Sequence, residues 1–432
     1  MGRRDGVNER TENNARLLAF LPALFGWAML TYALAKHVVV DVHGEGGHDF
    51  RYFYLVASML RDGIDYTSLS PERFTELARH YLGGASYPAD APYVVYHAPT
   101  LFIAFIPLTC LPPAHAAAVW GVISFMLYLG GVALLIRTLL EHVSWSSYER
   151  PLFLAAAWFV ASVYYPFQLG FHLGQVEVIL FALVAASCWA MSRQRMFLSG
   201  VCAGMLCCVK PATVFLLPFW AARRMSLPGI AVVGAVSLAW LISVQGWPFL
   251  EHYLAGAART ANYFFESKVM NNENVSLLAT LGRAFHLTGE GNDVLRHASL
   301  GMEALSVLAV TLLGRKGFRD NAVMAYFPVA ICIWLLSLPQ IEVTYLVMAL
   351  APAVMLIARF DRLSEREAWA ALVAILVLAL PFSVDRFQLF QSGPLALVKS
   401  ARVFALIVIA WMLWSLARRE HDGSAADAGA DR

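Results

Sequence analysis

Carboxylates gather in one stretch of this chain. Between Asp41 and Asp90 the acids Asp41, Glu45, Asp49, Asp62, Asp65, Glu72, Glu76 and Asp90 outnumber Arg51, Arg61, Arg73 and Arg79. A carboxylate within reach of a substrate hydroxyl can take its proton as a general base. Asp41, His43, Glu45, His48 and Asp49 also bring five donor side chains into a short Gly-rich loop, a pattern compatible with a divalent metal. It fits a flexible acidic loop ending in a helix cap equally well, so no metal is assigned. Other polar groups stand at the edges of apolar runs: His97 and His172 near run ends, Arg259 and Lys268 in a later polar segment, and Glu342 between two runs. The histidines also suit plain hydrogen bonds to backbone, and Glu342 suits a plain loop. Lys210 lies inside an apolar run, where an ionisable side chain is costly and usually functional, although snorkelling to an interface would place it there too.

The elements that must carry these groups are membrane helices. The 432 residues are 59% hydrophobic and 14% charged, with mean hydropathy +0.60, whereas soluble domains carry about 25% charged residues. Apolar runs near the length of a spanning helix, about 20 residues, occur at 17–40, 93–111, 116–140, 152–169, 176–191, 197–220, 230–247, 300–313, 322–338, 343–358, 368–382 and 395–416. The chain reads as an all-α polytopic transmembrane bundle of about 10–13 spans. It divides into a cytoplasmic N-terminal segment 1–16, one membrane domain 17–416, and a polar tail 417–432 expected to be disordered and cytoplasmic. The first run is longer than the apolar core of a signal peptide and is followed by no clear cleavage motif, so it reads as retained. Six cysteines lie in or beside apolar runs and form neither a disulfide framework nor a zinc spacing. A net charge of +2, with the basic residues in short clusters instead of one stripe, gives no sign of a nucleic-acid partner.

Those clusters give orientation. Arg3, Arg4, Arg10 and Arg16, then Arg223 with Arg224, Arg315 with Lys316 and Arg319, Arg359 with Arg362, and Arg418 with Arg419 mark cytoplasmic ends. Both termini then lie on the cytoplasmic side of the cell membrane, and the polar segments 43–92 and 248–297 lie on the outer side. Arg193 and Arg195 disagree: either their loop breaks the rule, or Lys210-Pro211 splits its run into two half-spans. Within the first outer segment, Phe50 to Asp62 forms an apolar helix too short to span, expected in the interface and stopped by Gly63. A second helix starts at Ser70-Pro71. No internal repeat of the kind that builds many transporters is visible.

The run from His48-Asp49-Phe50-Arg51-Tyr52-Phe53 to Ala57, followed by Asp62-Gly63-Ile64-Asp65-Tyr66, resembles the opening loop of glycosyltransferase family 87. Pro99-Thr100-Leu101-Phe102 with Pro107-Leu108, Leu111-Pro112 and Trp120 is similar to a second block of that family. Gly174-Gln175-Val176-Glu177 is similar to its Gly-Gln-x-Asn turn, Gly200 to Gly204 with Lys210-Pro211 to its Gly-rich helix, and Asn274-Val275-Ser276-Leu277 to a motif of its second outer loop. Two departures stand out. Glu177 replaces the usual Asn, and Ser337 to Tyr345 lacks the aromatic and the histidine of the family's Ser-Pro-x-x-Trp-x-His segment.

The resemblance implies a glycosyltransferase C-type fold with interfacial helices in the first outer loop. It implies transfer of a sugar, mannose or another hexose or pentose, from a polyprenyl-phosphate-linked donor to a lipid or glycan acceptor of the cell envelope at the non-cytoplasmic face. The lipid-linked sugar is then a co-substrate, membrane lipids surround the protein, and no cofactor is required. Asp49, matching the family's loop aspartate at the start of a helix, is the expected general base of an inverting reaction; the cap of that helix is its alternative or additional role. His97, His172, Lys210, Arg259, Lys268 and Glu342 are candidates for the donor phosphate or sugar. A transporter or lipid flippase is the competing reading, and it would call for opposed charges inside several spans. An intramembrane protease would need a zinc motif, paired aspartates or a serine–histidine pair, none of which is evident.

Overall fold

Run length, proline and glycine set where the helices of this chain begin and end. The computed structural model describes residues 24–36, 47–83, 97–146, 148–263, 274–285, 287, 291–320, 322–381 and 394–430, and every regular element among them is helical. In chain order the α-helices are α1 (24–36), α2 (His48–Arg61), α3 (Pro71–Tyr81), α4 (Pro99–Phe105), α5 (Pro113–His142), α6 (Glu149–Val163), α7 (Tyr165–Leu173), α8 (Glu177–Ser192) and α9 (Met196–Val209). They continue with α10 (Leu217–Ala221), α11 (Leu227–Tyr263), α12 (Leu277–Ala284), α13 (Gly291–Arg319), α14 (Val323–Ser337), α15 (Leu350–Ile357), α16 (Glu365–Ala379) and α17 (Ala401–Ala430).

Five stretches are long and apolar enough to cross a membrane: Pro113–His142, Glu149–Leu173, Arg224–Thr260, Asp293–Arg319 and Leu397–Glu420. Only 11% of the most apolar window of Arg224–Thr260 is buried within the protein, and Val232, Val236, Leu238 and Val244 point outward from it. Such a face is stable against lipid and costly against water. Several expected spans are shorter than that length. Pro99–Cys110, Glu177–Ser192, Met196–Val209, Pro211–Ala221, Val323–Ser337 and Val343–Ile357 are apolar pieces of 10–17 residues.

One break accounts for two of the short pieces. At Lys210 the backbone leaves helical geometry (φ −141°, ψ 110°) and Pro211 opens a 3₁₀ turn, so the run 197–220 is split as one of the two sequence alternatives had it. A second break, at Tyr164 ahead of Pro166, divides α6 from α7, because a proline in the first helical turn starts a new helix; the two pieces still make one stretch, Glu149–Leu173, long and apolar enough to cross, in keeping with the single span 152–169 expected from sequence. A further kink, at Gly246 before Pro248, lies within α11, which runs on to Tyr263 through residues read as loop. At the other end of the chain, α17 continues to Ala430, through most of the 417–432 tail that the sequence reads as disordered. Alanine lets an established helix propagate at little cost.

Close contacts between small residues hold the bundle together, as expected where lipid supplies no hydrophobic drive between helices. A Cβ on Gly229 of α11 would run into the Phe197 carbonyl of α9, and one on Gly200 into the Ser226 carbonyl. Between α8, α9 and α10, the Trp220 Nε1–H donates to Ser187 at 3.0 Å and to Ser199 at 2.8 Å. Tyr128 of α5 stacks on Phe167 of α7 at 3.6 Å and donates its hydroxyl to the Ala161 carbonyl at 2.6 Å.

The first polar segment is fastened to this bundle. In α2, nine residues from Phe50 to Leu60 are buried, with Phe50 and Phe53 packed on Phe105 of α4. The apolar sides of α2, the helix expected from sequence to lie in the interface, are largely covered by protein. Arg61 donates to Thr109 at 3.0 Å, the Tyr54 hydroxyl to the Leu111 carbonyl at 2.9 Å, and His252 of α11 meets Asp65 at 2.7 Å. Helix α3 begins as its sequence indicated: Ser70 caps the Arg73 N–H, and Pro71 is the first helical residue.

Candidate functional site

Asp49 lies in the first turn of α2, but it does not cap that helix. The cap is Gly47 in the left-handed region (φ 71°), which has no side chain with which to bond the free N–H groups there. The alternative role drawn from sequence is thus filled by glycine, which adopts this conformation without a Cβ clash. The Asp49 side chain is 30% exposed. Its Oδ2 accepts a 2.6 Å hydrogen bond from the Gln175 Nε2–H, across 126 residues of sequence. Its Oδ1 stands 3.7 Å from His48 Nδ1, too far for a short hydrogen bond but close enough for charge to count. The nearby Asp49 carboxylate holds the His48 imidazole above its ordinary pKa, with partial burial opposing.

Gln175 is delivered by a tight turn. Helix α7 ends at Gly174 (φ 76°), the Gln175 N–H returns to the Gly170 carbonyl at 2.8 Å, and α8 starts at Glu177. Two bonds lock this turn in place: the Gly47 N–H donates to the His172 carbonyl at 2.8 Å, and the Trp120 indole N–H donates to the Gly174 carbonyl at 3.0 Å. A Cβ on Gly174 would fall 2.6 Å from the Phe50 Cβ. Gly174→Ala therefore meets both a left-handed φ and a clash with α2. A loss of at least about 1–3 kcal/mol is expected, read as a lower unfolding temperature of the detergent-solubilised protein with a matching fall in activity. An unchanged melting curve would show that α2 is not held against this turn.

Beneath Gln175 lies a buried ion pair. Glu177, 2% exposed at the N-terminus of α8, accepts a 2.6 Å bond from Lys210 Nζ, which is 3% exposed at the end of α9. The Lys210 ammonium also sits 3.3 Å from the centre of the Tyr345 ring, an attractive arrangement in a desolvated setting. The carboxylate gains as well from the positive end of α8. The departure of Glu177 from the family's Asn thus has a physical counterpart: its charge is answered by Lys210.

The late segment that lacks the family's aromatic and histidine closes the other side. Asn274 donates to the Pro339 carbonyl at 2.9 Å and accepts from the Ile341 N–H at 3.0 Å, while Ser276 donates to the same Pro339 carbonyl at 2.8 Å. The Asn274-Val275-Ser276 motif therefore serves as a clamp for residues 339–341. Just beyond the clamp, Glu342 is half-buried and accepts from Gln340 at 2.9 Å, and the 3₁₀ turn Val343–Ala349 presents Tyr345 to Lys210.

Asp49, the backbone of His172, and Lys210 with its two partners are thus brought into one neighbourhood through Gln175 and Glu177. His97 packs edge-on against Phe53 of α2 at 5.0 Å, and both its ring nitrogens are buried with no hydrogen-bond partner among the described residues. Arg259 is exposed on α11. Lys268 lies outside the described residues, as do Asp41, His43 and Glu45 of the acidic loop. Gln175 and Tyr345 were not singled out as site residues from sequence. Gln175 had a signal, its place beside a glycine that ends one helix just before another begins.

Residues 96–383 match the model of a protein family described as glycosyltransferase family 87. No curated protein matches the chain. The match includes the Gly174 to Glu177 turn, Lys210, Asn274 and Glu342; Asp49 precedes it and is tied to it by Gln175.

Proposed function

Because the chain belongs to glycosyltransferase family 87, we propose that it transfers a sugar from a polyprenyl-phosphate-linked donor to a lipid or glycan acceptor at the outer face of the cell membrane, with Asp49 as general base. The fold we assign to it is the C-type of membrane glycosyltransferases, and the sugar is mannose or another hexose or pentose of the cell envelope. The observation that carries this reading is the Asp49 carboxylate, held on one oxygen by Gln175 and partly exposed at the start of α2. Such a group has a fixed position and a free lone pair, the two requirements of a general base.

In the reaction, the acceptor hydroxyl attacks the anomeric carbon while its proton passes to Asp49. The bond between that carbon and the phosphate oxygen breaks, and polyprenyl phosphate leaves. One displacement inverts the anomeric configuration. The leaving phosphate already carries negative charge well, so the protein needs only cations or hydrogen-bond donors around it. Arg259 and Lys268 are the cations we assign to that role, with His97, His172 and Glu342 facing the sugar. Lys210, whose charge Glu177 already answers, supports the pocket from beneath.

The cellular test is mass spectrometry of envelope glycolipids and glycans from cells with and without the protein. Loss of one hexose or pentose from a defined product supports the reading and names the substrate. Identical glycan profiles, with a changed distribution of an intact lipid across the bilayer, would favour a flippase.

A further inference from the structure

Between α5, α7, α8 and the 3₁₀ turn Val343–Ala349 lies a small internal cavity lined on its polar side by Ser124, Gln175, Glu177 and Thr344. It offers about 10 Å³ to the centre of a water-sized sphere, close to the room that one water needs. Each of these four lining residues carries a buried side-chain oxygen with no hydrogen-bond partner among the described residues: Ser124 Oγ, Gln175 Oε1, Glu177 Oε2 and Thr344 Oγ1. Ser124, Glu177 and Thr344 are at most 3% exposed. Four orphaned oxygens in one desolvated place are costly unless something joins them.

We infer that this cavity binds one ordered water molecule, which links Gln175 to Glu177 and thereby fixes the amide that holds Asp49. The hydrogen-bond inventory closes around water. Its two hydrogens go to Glu177 Oε2 and Gln175 Oε1, which can only accept, and its two lone pairs receive the hydroxyl hydrogens of Ser124 and Thr344. Gln175 Oε1 pinned in this way leaves the Nε2–H pointing at Asp49, the orientation seen at 2.6 Å. The other oxygen of Glu177 is taken by Lys210. A continuous line thus runs from Lys210 through Glu177, the water and Gln175 to Asp49. Thr344 and Ser124 are positioning residues: they act on the carboxylate only through the water and the amide. This consequence for activity rests on Asp49 being the base; the binding of water does not.

Gly170 supplies a clean probe. A Cβ there would stand 3.7 Å from Gln175 Cβ and from Thr344 Cβ and Cγ2, ordinary contact distance, so a methyl fits without strain yet takes up space in a cavity of this size. The test combines a density map of the full chain, at a resolution that shows ordered water, with kinetics of Gly170→Ala, Thr344→Val and Thr344→Ser. The expected map holds one peak within hydrogen-bond distance of all four oxygens. Gly170→Ala and Thr344→Val should each lower kcat about tenfold with the KM for donor unchanged, while Thr344→Ser, which keeps the hydroxyl, restores kcat. An empty cavity in the map would overturn the inference, as would an anomalous signal there after thallium exchange, because the occupant would then be a monovalent cation. Equal rates for the valine and serine variants, with Asp49→Asn inactive, would overturn the positioning role given to the water. If Asp49→Asn proved fully active while the water peak was present, the base assignment would fail and the water site would stand.

Discussion

Replacing Asp49 with asparagine is expected to slow sugar transfer by about 10²–10⁴-fold, the usual contribution of a general base, while leaving expression and membrane insertion unchanged. Asparagine matches aspartate in shape, and its carbonyl oxygen can still accept the Gln175 N–H, so the contact between α2 and the Gly174 turn survives. Since Asp49 is partly exposed and Gly47, not Asp49, caps α2, little folding energy depends on the charge. What is lost, under the proposed mechanism, is the lone pair that would receive the acceptor's proton. Initial rates with a labelled lipid-linked donor in membranes check this. Transfer at the full rate by the variant would remove Asp49 from the mechanism.

The second large effect concerns stability. Glu177→Gln leaves the Lys210 ammonium 3% exposed, beside the Tyr345 ring, with no carboxylate to neutralise it. Removing one partner of a buried pair costs about 3–5 kcal/mol, because the remaining charge is stranded away from water. The variant should unfold at a markedly lower temperature in detergent. Replacing both partners, as Glu177→Leu with Lys210→Met, should recover most of the loss, since a buried pair itself adds little over well-packed apolar groups. If the single variant melts like the parent, Lys210 finds another counter-charge and the pair is not the anchor of this region.

Local chemistry made some elements legible before any coordinates. Ser70-Pro71 announced the start of α3, and Lys210-Pro211 the break after α9, because a cap and a proline act within one turn of backbone. The first turn of α2 was misjudged by two residues: Asp49 is a good cap in general, but Gly47 adopts the left-handed conformation at no steric cost and takes the position. Contacts across the fold left weaker marks. Nothing in the residues around Gln175 says that its amide will reach a carboxylate 126 positions away, and the hold of Asn274 on residues 339–341 joins two segments whose kinship shows only in space. Lys210 stood out from sequence as a charge in an apolar run; its partner did not, because Glu177 opens a helix, where a carboxylate is unremarkable. The apolar sides of α2 were visible, but hydrophobicity alone does not separate a face buried in protein from one laid in lipid.

The central claim is that one carboxylate drives a single inverting displacement on a lipid-linked sugar. Its most direct test is the anomeric configuration of the product, read by NMR after the purified full chain in lipid discs has consumed a polyprenyl-phosphate donor of known configuration. Inversion is the expected result, with polyprenyl phosphate released in equal amount. Retention of configuration, or turnover of a nucleotide-linked sugar with the lipid-linked donor left untouched, would contradict it.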